Sequence, residues 1–178
     1  PELLSDAARS RALRALELYS ADAAKMPLEK IGRAVSTGLD PAGLAAAFNC
    51  DLPQVLRRLA ALPEDVFGGA SGLVLCDASG AILFRKPIAG FALPRFGASC
   101  PLWPLYAALA RPLVPVRRQV VQHGRHAAGF ECLAMAWPQT QPDFDRDPVY
   151  RAVMLILPLA ETPEGALAVG SSCRVCSG

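Results

Sequence analysis

The chain has no apolar run of the roughly 18 residues needed to cross a bilayer. Its longest greasy stretch, Ala152 to Ala160, suits a buried strand. It has no charged start followed by an apolar block and a cleavage site, so no secretory signal peptide is predicted. It also lacks a Gly-x-Ser-x-Gly elbow, a phosphate loop, a dinucleotide fingerprint and a His-Glu-x-x-His helix, which removes the commonest signatures of hydrolases, NTPases, dehydrogenases and zinc proteases. Net charge is scarce too: the formal value of +2 is too small for nucleic-acid binding through bulk electrostatics. What remains is a globular composition, 52% apolar and 19% charged, with no sign of a disordered chain. The 178 residues allow one ordinary domain with a small appendage. A start at Pro1 and a stop beside a cysteine motif read as a piece of a longer, cytoplasmic protein with no membrane partner.

Six cysteines are present, at 50, 76, 100, 132, 173 and 176. Without a secretory signal, disulfides are a poor explanation for them. Cys76 and Cys132 lie inside apolar stretches and read as small buried hydrophobes.

The first 64 residues read as a helical segment. Leu13, Leu16 and Tyr19 recur at three-residue spacing beside Arg9, Arg11 and Arg14, and Leu28 to Val35 gives a second helix stopped by Gly38. Asp40 caps a third helix with Pro41 at its first position. Asp51 caps a fourth, with Gln54 three residues on as in a capping box. The pair at 41–61 has a helix-turn-helix outline, but only Gln54, Arg57 and Arg58, expected on its outer face, could reach DNA, so scaffold is the stronger reading.

From residue 65 to 178 the character changes. Gly68 to Gly72 reads as a joint. Leu73 to Cys76 and Ala81 to Phe84 flank Asp77-Ala78-Ser79-Gly80, a hairpin signal. A helix is predicted over Pro101 to Ala110, then strands over Val114 to Gln122, Ala128 to Trp137 and Tyr150 to Leu157, with a short one at Ala166 to Val169. This order predicts an α+β fold: a helical amino-terminal segment, then a single antiparallel sheet with helices on one face, the layout of GAF- and PAS-like sensor domains.

The sharpest chemical signal is Cys173-Arg174-Val175-Cys176, a spacing that turns two thiolates toward one metal or forms a redox pair. A redox pair normally opens a helix, and only Ser177 and Gly178 follow. The second signal is Cys100: with Pro101 in a first helical turn, the helix dipole would favour its thiolate. Three soft ligands from two loops, Cys100, Cys173 and Cys176, select zinc or an iron-sulfur cluster. His123 and His126 lack ligand spacing and read as turn residues. Arg85, Lys86 and Arg95 could receive ligand phosphates, although solubility accounts for most of the basic residues. Asp143, Asp145 and Asp147 read as a solvated charge run. The competing reading is a small thiol-dependent redox protein or enzyme using Cys100 or the Cys173/Cys176 pair.

Gly97-Ala98-Ser99-Cys100-Pro101-Leu102-Trp103-Pro104-Leu105-Tyr106, with Val169-Gly170-Ser171-Ser172-Cys173-Arg174-Val175-Cys176 far downstream, resembles the carboxy-terminal domain of the short-chain fatty acyl-CoA regulators, XRE-type bacterial transcription factors. The resemblance spans about residues 28 to 178. It implies a non-enzymatic sensor of a short-chain acyl-CoA, with Arg85, Lys86, Arg95, Trp103 and Tyr106 as candidate ligand-binding residues. It also implies an iron-sulfur cluster on Cys100, Cys173 and Cys176, a homodimer, and DNA binding through a further amino-terminal domain. The family pattern continues with one more cysteine past Cys176, and Pro104 stands where the family has a polar residue.

Overall fold

A computed structural model describes residues 5–94, 99–122, 127–141 and 143–172, with Arg11 described by its backbone alone. The chain divides into two compact units, Pro1–Gly69 and Ala70–Gly178.

The first unit is helical: α1 (Asp6–Lys25), α2 (Leu28–Ser36), α3 (Pro41–Phe48), α4 (Leu52–Ala60) and the single turn α5 (Glu64–Phe67). The local chemistry follows the sequence closely. Asp40 accepts the Gly43 N–H at 2.7 Å, with Pro41 at the first position. Asp51 and Gln54 form a reciprocal capping box.

The packing departs from expectation at two places. Leu13, Leu16 and Tyr19 are 54%, 61% and 50% exposed, so the spacing that looked like a core face points outward. The side of α1 that packs against α4 carries Asp22 instead, 2% exposed. A buried carboxylate needs compensation. Arg57 supplies it with two bonds of 2.8 and 2.9 Å, and Gln54 adds a third at 3.4 Å. Arg58, 4% exposed, donates to the Met26 carbonyl at 2.9 Å, its guanidinium carbon 5.9 Å from the centre of the Tyr19 ring. Gln54, Arg57 and Arg58 therefore do not form an outer basic face, and α3–α4 offers DNA none of the contacts weighed for it.

The second unit is a six-stranded sheet in the order β2-β1-β5-β4-β3-β6. Its strands are β1 (Gly72–Asp77), β2 (Ile82–Lys86), β3 (Val116–Gln122), β4 (Ala128–Pro138), β5 (Tyr150–Pro158) and β6 (Leu167–Val169), with α6 (Pro104–Leu109) between β2 and β3. The predicted antiparallel sheet holds for every pair but one: β6 runs parallel to β3. Both β5 and β3 are antiparallel to β4, so β6 reaches the β3 edge by a crossover that keeps the direction of β5.

One face of the sheet packs with α6 around Val74, Val120, Phe130, Cys132, Met154 and Ile156. On β1 and β5 the alternate residues Leu73, Leu75, Val153 and Leu155 are buried as well. Burial on both faces explains why these strands read as continuous apolar runs rather than alternating ones. Among the described residues, no helix is long and apolar enough to cross a membrane.

Candidate functional site

The site is built on the α6 face of the sheet, where the β1–β2 hairpin meets the 88–94 loop and Trp103. Asp77 accepts from the Ser79 and Ala81 N–H groups at 2.9 and 3.0 Å, which folds the hairpin turn. At the tip, Gly80 has φ +82°, and a Cβ there would lie 2.8 Å from the Tyr106 ring. The glycine admits Tyr106, whose hydroxyl donates to the Gly80 carbonyl at 3.3 Å. Tyr106 thus ties α6 to the hairpin.

Trp103 is fully buried. Its ring centre lies 5.2 Å from that of Phe91, which stands edge-on to Phe130 at 5.2 Å. Its indole N–H donates to the Gly170 carbonyl at 2.8 Å. The same carbonyl accepts from Gln122 Nε2 at 3.3 Å. Gln122, 3% exposed, also accepts the Ala92 N–H and donates to the Ala92 carbonyl. Sequence reading missed Gln122; the available signal was a polar residue at a buried position of a strand, which implies a partner inside.

A small pocket, with a cavity volume of about 10 Å³, lies between these elements, lined by Val74, Ile82, Arg85, Leu93, Pro94 and Trp103. Arg85 is exposed and donates to the Pro94 carbonyl at 2.7 Å, placing a guanidinium at an otherwise apolar pocket. Two of the residues singled out in the sequence, Arg85 and Trp103, therefore come together here. Lys86 does not join them. Neighbouring strand residues face opposite ways; Arg85 pairs with Val74 on the α6 face, Lys86 with Leu73, and Lys86 reaches Ser71 at 3.1 Å. Arg95, His123 and His126 lie outside the described residues.

The helix predicted from Pro101 starts only at Pro104, with Trp103 as its cap at φ −61° and ψ 139°. A proline pushes the residue before it out of the helical region, so Pro104 resets the start three residues later than Pro101 would. Cys100 therefore does not lie at the amino terminus of the helix, where the sequence argument placed it. It is held differently. Cys100 is 1% exposed and donates its N–H to the Ser171 carbonyl at 3.3 Å. That bond places Cys100 beside the residue two before Cys173, which itself lies outside the described residues together with Cys176. Among the described residues, no group of three His, Cys, Asp or Glu side chains is arranged to hold a metal ion.

The other core thiols are chemically quiet. Burial pushes Cys76 up to about 12, with Asp77 adding to the shift. Burial does the same for Cys132, pushed to about 12 with help from Glu131. A thiol with a raised value stays protonated below it, and only the thiolate reacts readily. Iodoacetamide at pH 8 is expected to leave both unmodified in the folded protein and to label both after unfolding, as read by peptide mass spectrometry.

The family model for "Short-chain fatty acyl coenzyme A regulator, C-terminal" matches residues 71–178. The chain belongs to this family. The matched region takes in the whole six-stranded sheet, the pocket and both cysteine motifs. A solved structure of a Mycobacterium tuberculosis transcriptional regulator superposes on this chain with a TM-score of 0.79 at 23% identity. The match covers 100% of this chain and 59% of that one, and at this identity it establishes a shared fold. No match was found among curated proteins.

Proposed function

We propose that the sheet unit is the ligand-sensing domain of a transcriptional regulator and binds a short-chain acyl-CoA, with the acyl group in the pocket beside Trp103. The observation that carries this reading is the pocket itself: an apolar lining with one guanidinium, inside the region matched by the family. Its cavity volume is about 10 Å³, room for about one water molecule. In this reading the hairpin and the 88–94 loop part to admit the acyl group, and the rest of the CoA stays outside. Arg85 then meets a phosphate of the CoA through its planar donor fork, and Arg95 is a second cation for it. Tyr106 supports the hairpin and reaches the ligand from α6 in this reading.

Calorimetric titration with propionyl-CoA tests it. Charge-assisted hydrogen bonds contribute about 1.5–3 kcal/mol, so Arg85→Ala is expected to weaken binding at least about tenfold. Lys86→Ala, on the other face of β2, is expected to change little. Equal losses in both variants would remove the assignment of the pocket.

The same proposal gives Cys100, Cys173 and Cys176 to an iron-sulfur cluster, a soft-ligand centre that would supply redox or structural sensing when bound. What supports it is limited to Cys100 and its surroundings: Cys100 is buried, its N–H is bonded to the Ser171 carbonyl, and the Trp103 N–H is bonded to the Gly170 carbonyl. DNA is read, in this proposal, by a separate amino-terminal domain of the full regulator, because Arg57 and Gln54 are committed to Asp22 and Arg58 to Met26. A homodimer is part of the proposal, and the exposed Leu13, Leu16 and Tyr19 on one side of α1 are the apolar surface offered to a second copy.

A further inference from the structure

One buried side chain ties the pocket to the far edge of the sheet. Gln122, 3% exposed, ends β3, where its neighbour across the parallel ladder is Val169 of β6. Its Oε1 accepts the Ala92 N–H, and its Nε2 donates to the Ala92 carbonyl at 3.2 Å and to the Gly170 carbonyl at 3.3 Å. A primary amide has two N–H donors, and both are used here. The two bonds to Ala92 hold the 88–94 loop as a neighbouring strand would, and the next two residues, Leu93 and Pro94, form one wall of the pocket. Trp103 forms another wall, and its indole N–H ends on the same Gly170 carbonyl at 2.8 Å. Two walls of the pocket therefore converge on one backbone oxygen. That oxygen directly follows β6, a strand of only three residues at the sheet edge.

We infer that Gln122 is a positioning residue that couples occupancy of the pocket to the β6 edge: when the 88–94 loop moves to admit an acyl group, its Ala92 bonds break and Gly170 loses the Gln122 donor with them. This rests on the acyl-CoA reading above. A buried amide that keeps only part of its partners is unfavourable, so the three bonds are lost together rather than one at a time. The segment after β6 then keeps Trp103 and Cys100 as its ties, and the short β3–β6 ladder is the part that loosens. Coupling of this kind is reciprocal: the ligand loosens β6, and whatever loosens β6 favours the ligand-bound form. Gln122→Met keeps the length of the side chain and deletes all three bonds.

The test is hydrogen–deuterium exchange of the whole chain with and without saturating propionyl-CoA, beside calorimetric titration of the same samples. In the wild type, the ligand is expected to speed exchange in peptides covering 88–94 and 165–172 and to leave β1 and β5 unchanged. In Gln122→Met both peptides are expected to exchange fast without ligand, and the ligand is expected to add little. The variant is also expected to bind propionyl-CoA several-fold more tightly, because opening no longer breaks these bonds. A merely structural Gln122 predicts the opposite, weaker binding in the looser variant. Propionyl-CoA bound to the wild type with exchange at 165–172 unchanged or slowed overturns the coupling and leaves the acyl-CoA reading standing. A ligand response in Gln122→Met as large as in the wild type, or weaker binding by that variant, overturns the role of Gln122. Wild-type protein that binds no propionyl-CoA overturns the acyl-CoA reading and this inference together. The wild-type comparison decides the coupling even if Gln122→Met does not fold.

Discussion

Replacing Trp103 with Ala is expected to destabilise the sheet unit by about 3–5 kcal/mol, the range for deleting a fully buried large aromatic. Three losses combine. The ring's tilted contact with Phe91 disappears, one wall of the pocket goes, and the Gly170 carbonyl loses its stronger donor. Trp103→Phe separates them. It keeps most of the apolar bulk and deletes the N–H, so it is expected to cost less, about 0.5–1.5 kcal/mol for one lost hydrogen bond, since Gln122 still donates to the Gly170 carbonyl. Urea unfolding of both variants, followed by far-UV circular dichroism, measures the difference. A Phe variant as damaging as Ala would make the indole N–H the principal tie. A Phe variant equal to wild type would show that Gln122 alone satisfies Gly170.

The second large effect lies in the helical unit. Asp22→Ala is expected to cost about 3–5 kcal/mol, because it removes the buried carboxylate to which Arg57 and Gln54 both donate. The loss comes from breaking a buried pair on one side only. Replacing both groups, as Asp22→Leu with Arg57→Met, is therefore expected to recover most of the stability. The midpoints of thermal unfolding for the single and double variants distinguish the two cases. A double variant as unstable as the single one would show that the ion pair is itself stabilising, with Gln54 contributing through the same carboxylate.

Local chemistry made much of this fold legible in the sequence. Asp40-Pro41, the Asp51/Gln54 box and the Asp77 turn each carry their conformation in a few adjacent residues, and each forms as expected. The strands were legible from apolar runs bounded by turn residues. What depends on tertiary partners was not. The Leu13-Leu16-Tyr19 spacing identifies a helix without saying which side is covered, and Asp22 took the buried side because Arg57 of a distant helix meets it. The parallel pairing of β6 depends on a crossover that no local pattern encodes. At the site, the helix-dipole reason given for the Cys100 motif does not hold. Two prolines competed to start α6, and the later one won, which removed the helix-dipole argument. Cys100 is joined instead to Ser171 by one backbone bond across the fold. Gln122 carried no sequence signal beyond its polarity.

The cysteine centre is the most exposed part of this account, and metal content tests it most directly. Protein purified and reconstituted without oxygen should be assayed for iron and acid-labile sulfide, with its visible spectrum, beside Cys100→Ala and Cys173→Ala variants. The account predicts iron and sulfide in the wild type with a broad absorption band toward the blue end of the visible, lost in both variants. Iron and sulfide retained at wild-type levels in either variant, or absent from the wild type, would contradict it.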